Sequence, residues 1–328
     1  MKTEFLIIFI LSLILNHSKS YIDSSKYSKL LGKVRKEIVE QALLNLPEKD
    51  NVNALEMFNQ MADVQEKYSL TEVDSAYLIY KWIAINIQLE LTGKNEDPPS
   101  VYNSGKGTGK GMSSLFKKMC DYLKIEADNI SGYLKTSGVD SENIITNIEF
   151  TWNYVLIDGE YYLIDVSLGT GFFELTYFTR FYNDFFFGTN PEIFIRHHFP
   201  KENKWQLLPK PLSLDEFNSQ AYLLYLFYLN GLKTISPDTN IIAGNGLSNI
   251  ILTYDDSISE ILTMVTTEDT TNPYNSASIH GKISNEQIDL IFLLKDVNHN
   301  LLSIWVHDYS WESYMPVAYI KLQVINEN

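Results

Sequence analysis

A single cysteine, Cys120, stands in a chain of 328 residues, so no intramolecular disulfide can form and no cysteine zinc cluster can be built. Basic residues are in deficit: 26 Lys and Arg against 41 Asp and Glu give a net charge of −15. With no basic block anywhere, the electrostatic footprint of a nucleic-acid surface is missing. Beyond the first twenty residues no apolar stretch is long enough to span a bilayer. These absences leave an acidic protein with no expected metal, cofactor, nucleic-acid partner or membrane span.

The chain is long enough for two domains of ordinary size, and 45% hydrophobic residues can fill real cores. Its first twenty residues, MKTEFLIIFILSLILNHSKS, carry a lysine near the start, an apolar run from Phe5 to Leu15, and Ser18 and Ser20 placed as at a cleavage site. Such a run spans roughly 16 Å as a helix, about half a bilayer core. The expectation is a signal peptide over residues 1–20, a mature chain starting near Tyr21, and a secreted protein. One glycosylation sequon follows, Asn129-Ile130-Ser131, in a stretch that reads as a strand.

The glycine-rich stretch GKGTGKGMSSLF, Gly105 to Phe116, resembles a phosphate loop at first sight. A phosphate loop needs four residues between its first glycine and the Gly-Lys pair, then a hydroxyl for magnesium. Here only three residues separate Gly105 from Gly109-Lys110, and Gly111 stands where the hydroxyl belongs. No buried strand precedes it, because PPSVYNS is a turn-rich connection. A nucleotide site is therefore not expected.

Helical spacing governs the chain from Tyr21 to about Gln88: Ala76, Tyr77, Tyr80, Ile83, Ala84 and Ile87 recur after Ser69 and Thr71, which can cap. A second helix follows the glycine loop, with Met112, Leu115, Phe116, Met119 and Leu123 in one stripe and Cys120 beside it. From about Asn129 the pattern turns to strands. After Glu216 a short helix gives way to β segments such as IILTY, ILTMV, IDLIFLL and AYIKLQV, which read as a β-sandwich. In TWNYVLIDGEYYLIDVSLG, Asp158-Gly159 is a two-residue hairpin signal. That turn pairs Ile157 with Glu160, sets Trp152 opposite Asp165, and places Phe150 diagonally from Asp165 on one face, roughly 7 Å away.

Four segments in order then carry a resemblance: KYSLTEVDSAYLIYKWIAINIQLE, GKGTGKGMSSLFKKMCDYLKIEADNISGYLK, TWNYVLIDGEYYLIDVSLG and FIRHHFPKENKWQLL. Together they resemble the transglutaminase-like superfamily, in the branch typified by kyphoscoliosis peptidase, over about Ser69 to Phe217. The β-rich tail is similar to that branch's C-terminal region. The resemblance implies an α+β chain: a papain-like transglutaminase core with N-terminal helices over residues 21–217, then a β-sandwich over 218–328. It also implies a thiol nucleophile at a helix N-terminus, a histidine base on a strand and an aspartate on the next.

Matched position by position, the nucleophile falls on Gly109, the base on Phe150 and the acid on Asp165. Glycine has no atom to attack with, and phenylalanine cannot take a proton; the acyl transfer of such a triad needs both a thiolate and its base. The expectation is a degenerate triad at Gly109, Phe150 and Asp165 and a non-catalytic protein that binds or scaffolds a protein partner. The alternative is a divergent acyl transferase or peptidase using Cys120. Cys120, however, lies roughly 16 Å along the helix from Gly109 and beside the apolar stripe, as a buried inert thiol would.

Other chemical groups read as structural. Ser113 and Ser114 lie near the helix start without a neighbouring base in sequence. His197 and His198 are adjacent, and adjacent strand residues point to opposite faces, which does not suit a shared metal. Asp296, Asn298 and Asn300 open like a calcium loop but lack its glycine and distal glutamate. The aromatic cluster from Tyr177 to Phe187 reads as core or interface rather than a sugar platform.

Overall fold

The structure, a computed structural model, describes residues 23–94, 96–137, 145–174, 177–244, 247–255, 263–269, 272–279, 282–284, 287–293, 301–308 and 313–324. The expected signal peptide and the Asp296–Asn300 segment lie outside the described residues. The described residues divide into two compact units, one of residues 24–134 and 147–212, the other of those from Ser213 onward together with Asp23, 135–137 and 145–146.

In the first unit helices come first: α1 (Lys36–Leu44), α2 (Ala54–Lys67) and α3 (Glu72–Asn86). Asn53 with Glu56, and Thr71 with Asp74, close reciprocal capping boxes at the starts of α2 and α3, which satisfies backbone donors that the helix itself cannot pair. Buried residues run all round α3, from Val73 and Ala76 through Tyr77, Leu78, Ile79 and Tyr80 to Trp82 and Ile83. A helix apolar on every face belongs in the interior, and α3 is the centre of this unit's core. The one charge buried on it, Asp74, accepts from Arg35 Nε at 2.8 Å and from Thr71 Oγ1 at 2.6 Å.

Strand β1 (Gln88–Leu89) follows, then α4 (Pro98–Ser104), which ends on left-handed Gly105 at φ 67°. Strand β2 (Lys106–Gly107) pairs parallel with β1, and α5 (Gly109–Tyr122) starts at once. The predicted stripe on α5, Met112, Leu115, Phe116 and Met119, is buried with Cys120. Strands β3 (Ala127–Ser137), β4 (Ile145–Ile157), β5 (Glu160–Ile164) and β8 (His198–Pro200) form a sheet in the order β5-β4-β3-β8, with β6 (Gly171–Glu174) and β7 (Tyr177–Arg180) as a separate hairpin. The Asp158-Gly159 turn has positive φ at both residues, 53° and 78°, the geometry that matches the twist of the strands it joins. The register is the expected one, from Ile157↔Glu160 to Asn153↔Ile164. Phe185, Phe186 and Phe187 are buried, and Phe187 meets Tyr77 and Tyr80 edge-on at 5.1 and 5.4 Å.

The second unit contains helices α6 (Leu214–Ser219) and α7 (Tyr225–Leu229) and two sheets. One consists of β10 (Leu232–Ser236), β12 (Leu247–Tyr254), β16 (Gln287–Leu293) and β15 (Lys282–Ser284) in that order; the other runs β11 (Ile241–Gly244), β18 (Ser313–Val324), β17 (Leu301–Asp308), β13 (Thr263–Asp269) and β14 (Asn272–Ile279), with β9 (Tyr222–Leu223) beside β18. Their buried residues alternate along the strands: Ile250 and Leu252, Ile288 and Leu290, Leu302, Ile304 and Val306, Ala318 and Ile320. Period-2 burial on two sheets of one unit is the pattern of a β-sandwich. The chain is thus an α+β protein. Among the described residues no helix is long and apolar enough to cross a membrane.

Candidate functional site

The glycine loop leads directly into the N-terminus of α5. Thr108 is the N-cap, and its Oγ1 accepts from Gly111 N at 3.1 Å. Gly109 is the first helical residue and is buried, at a terminus whose unpaired amides carry partial positive charge. A side chain here would be held against that charge. None can be added as the site stands: an ideal Cβ on Gly109 would lie 2.5 Å from Cζ and 2.6 Å from Cε2 of Phe150. The Phe150 ring, half-buried on β4, therefore covers the Gly109 Cα and fills the space in which a side chain would sit.

Trp152, two residues along β4, is buried among His198, edge-on at 4.9 Å, and Phe194, at 6.1 Å. Its approach to β3 needs a glycine, since a Cβ on Gly132 would lie 2.4 Å from Trp152 Cη2 and 2.3 Å from Phe199 O. Asn153 donates from Nδ2 to Ser113 O at 3.1 Å and to Asn129 Oδ1 at 2.9 Å, tying β4 to α5 and β3. The same bond engages the side chain of the Asn129 sequon.

Asp165 is fully buried. The hairpin register raises the expectation that a residue at 150 and this carboxylate would meet, beside Asn153. In the structure the carboxylate is held by its own turn and by a histidine. Oδ1 accepts from Ser167 N at 2.9 Å, Ser167 Oγ at 2.5 Å and Leu168 N at 3.1 Å, while Oδ2 accepts from His198 Nε2 at 2.8 Å. The physical reason is local: past Ile164 the chain turns, Asp165 N donates to Phe186 O, and the carboxylate closes the turn it heads. Asn153 faces α5 instead.

Nothing in the reading of the sequence singled out His198 as Asp165's partner. Its ring is fully buried, stacks on Phe194 at 3.9 Å between centroids, and turns Nδ1 toward Phe194 O at 3.4 Å. A usable signal was present: a histidine in the apolar strand HFP must find a polar partner once buried, and Asp165 was the acid without one.

No family model matches the sequence. Among curated proteins, the chain is 30% identical over 199 residues to kyphoscoliosis peptidase of Mus musculus, a match covering 58% of this chain and 30% of that one. It is 28% identical over 200 residues to the Lim and transglutaminase domain protein ltd-1 of Caenorhabditis elegans, covering 56% and 28% of the two chains. Over more than half its length the chain is transglutaminase-like in sequence.

The transglutaminase-like chain spans less than a third of the length of the curated relatives it matches. A solved structure described as a TGase aligns over 39% of this chain and 34% of its own at 15% identity, with a TM-score of 0.27.

Elsewhere the transglutaminase-like unit places its reactive groups out of reach. Burial pushes the Cys120 thiol well up from its ordinary range, and the neighbouring Asp121 adds to the shift. Ser113 Oγ donates to Thr151 O at 2.8 Å and Ser114 Oγ to Lys110 O at 2.8 Å, so neither hydroxyl faces a base. His197 lies in the turn before β8 and not on the strand itself, with its ring centre 6.2 Å from that of His198. Among the described residues no group of three His, Cys, Asp or Glu is placed to hold a metal.

Proposed function

We propose that this transglutaminase-like protein is secreted and non-catalytic, and that it serves as a protein-binding or scaffolding module. The observation that carries the reading is the Phe150 ring 2.5 Å from the place of a Gly109 Cβ. By the family correspondence Gly109 is the nucleophile position and Phe150 the base position, and here the second side chain occupies the first one's space. A thiol enzyme needs a thiolate at a helix N-terminus beside a base; this helix N-terminus offers glycine under an aromatic ring.

Cys120 does not rescue catalysis. It is fully buried, its burial disfavours the thiolate, and it lies three turns down α5. The fold therefore keeps the frame of a thiol enzyme without its reacting atoms, and what the frame can still offer is surface. The test has two parts. The native protein should show no ammonia release from a glutamine donor peptide and no peptide cleavage, and immobilised native protein should retain a specific protein from extracellular material of its source. Turnover that disappears in Cys120→Ala would refute the reading.

A further inference from the structure

Two of the three positions are visibly emptied, whereas the third, Asp165, is kept in sequence. We infer that the third position is lost as well: His198 holds the carboxylate of Asp165, so an imidazole restored at position 150 would find no free orienting oxygen. This rests on reading 109, 150 and 165 as former triad positions.

A carboxylate offers about four acceptor sites. Three donors from the Asp165–Leu168 turn converge on Oδ1, leaving Oδ2 as the only oxygen that could orient a base. Oδ2 accepts from His198 Nε2 at 2.8 Å. Neither partner is free to swing away, because both side chains are fully buried. The imidazole is also held between stacked Phe194 and edge-on Trp152, at 3.9 and 4.9 Å. Buried and with Nδ1 toward Phe194 O, His198 touches no open surface, so it is a positioning residue and not a displaced base. In a working triad the aspartate fixes the tautomer and orientation of the base; here that service goes to a histidine of the β8 strand.

Two experiments test this, and the first uses the unmodified protein. With 15N-labelled histidine, His198 should show a ring proton on Nε2 protected from solvent exchange, with a resonance that shifts in Asp165→Asn. A solvent-exchanging or unprotonated Nε2 would overturn the inference without touching the proposed function, which fails only on native turnover. The second uses Cys120→Ala protein carrying Gly109→Cys and Phe150→His, with and without His198→Phe, which keeps the aromatic stack and removes the donor. With His198 present, the introduced thiol should titrate near its ordinary value of about 8.5. With His198→Phe, iodoacetamide labelling at pH 7 should rise at least about fivefold as the thiol pKa falls by roughly one unit. Equal profiles with and without His198, or a low thiol pKa while His198 remains, would overturn it.

Discussion

Replacing Gly109 by alanine isolates the contact on which the account turns. Glycine at a helical position is worth about 0.5–1 kcal/mol less than alanine, so an unobstructed Gly109→Ala would stabilise the protein by that amount. The added Cβ would instead lie 2.5 Å from Phe150 Cζ and 2.6 Å from Cε2. Overpacking of this kind costs about 1–3 kcal/mol, so the substitution should destabilise by roughly 0.5–2 kcal/mol net. Phe150→Ala removes the obstacle at its own cost of about 2 kcal/mol, half that of a fully buried phenylalanine. In that background Gly109→Ala should become neutral or stabilising. The coupling energy across the cycle is then about 1–3 kcal/mol. Urea denaturation followed by far-UV circular dichroism at 222 nm is the assay, because the long helices α1 to α5 all belong to one unit. If Gly109→Ala has the same effect in both backgrounds, within about 0.5 kcal/mol, Phe150 does not cover Gly109 and the closed-site argument fails.

Asp165→Ala strips a buried histidine and a turn of their common acceptor, and should cost about 3–5 kcal/mol by urea denaturation, with His198→Phe recovering part of the loss in the double variant. Cys120 should label with iodoacetamide only slowly in native protein even at pH 9 and rapidly after denaturation, because burial holds its thiol well above the ordinary range; fast native labelling would contradict the packing of α5. Burial alone would push the Asp74 carboxyl up, but bonds from Arg35 and Thr71 outweigh it and hold the group below its ordinary value. A depressed folded pKa gives stability that is present above the unfolded value of about 3.9 and is lost as pH falls through the folded one. Asp74→Asn should therefore flatten the acid limb of the stability curve below about pH 4.

Local chemistry was legible in the sequence. Asp158-Gly159 announced its own hairpin and register, since a two-residue turn with two positive φ angles admits little else. The α5 stripe was legible too, because Met112, Leu115, Phe116 and Met119 share one face at helical spacing. Pairing across the fold was not. Only a family resemblance linked positions 109 and 150, as no periodicity connects residues 41 positions apart, and that the Phe150 ring covers Gly109 came from the structure. The His198 bond to Asp165 spans 33 residues and depends on where β8 docks beside β3. Reading the two histidines as strand neighbours obscured it: His197 belongs to a turn, and only His198 enters the sheet. The register argument also carried Asp165 one step too far, treating it as a ladder residue when it already heads the turn to Leu168.

The most direct test of the non-catalytic account is a turnover assay on the purified native protein. Ammonia release from a glutamine-containing peptide and cleavage of that peptide are followed beside a Cys120→Ala control. The account predicts that both proteins stay at the rate of the enzyme-free blank under every pH tested, since neither has a thiolate at the N-terminus of α5. Turnover by the native protein that vanishes in Cys120→Ala would contradict it.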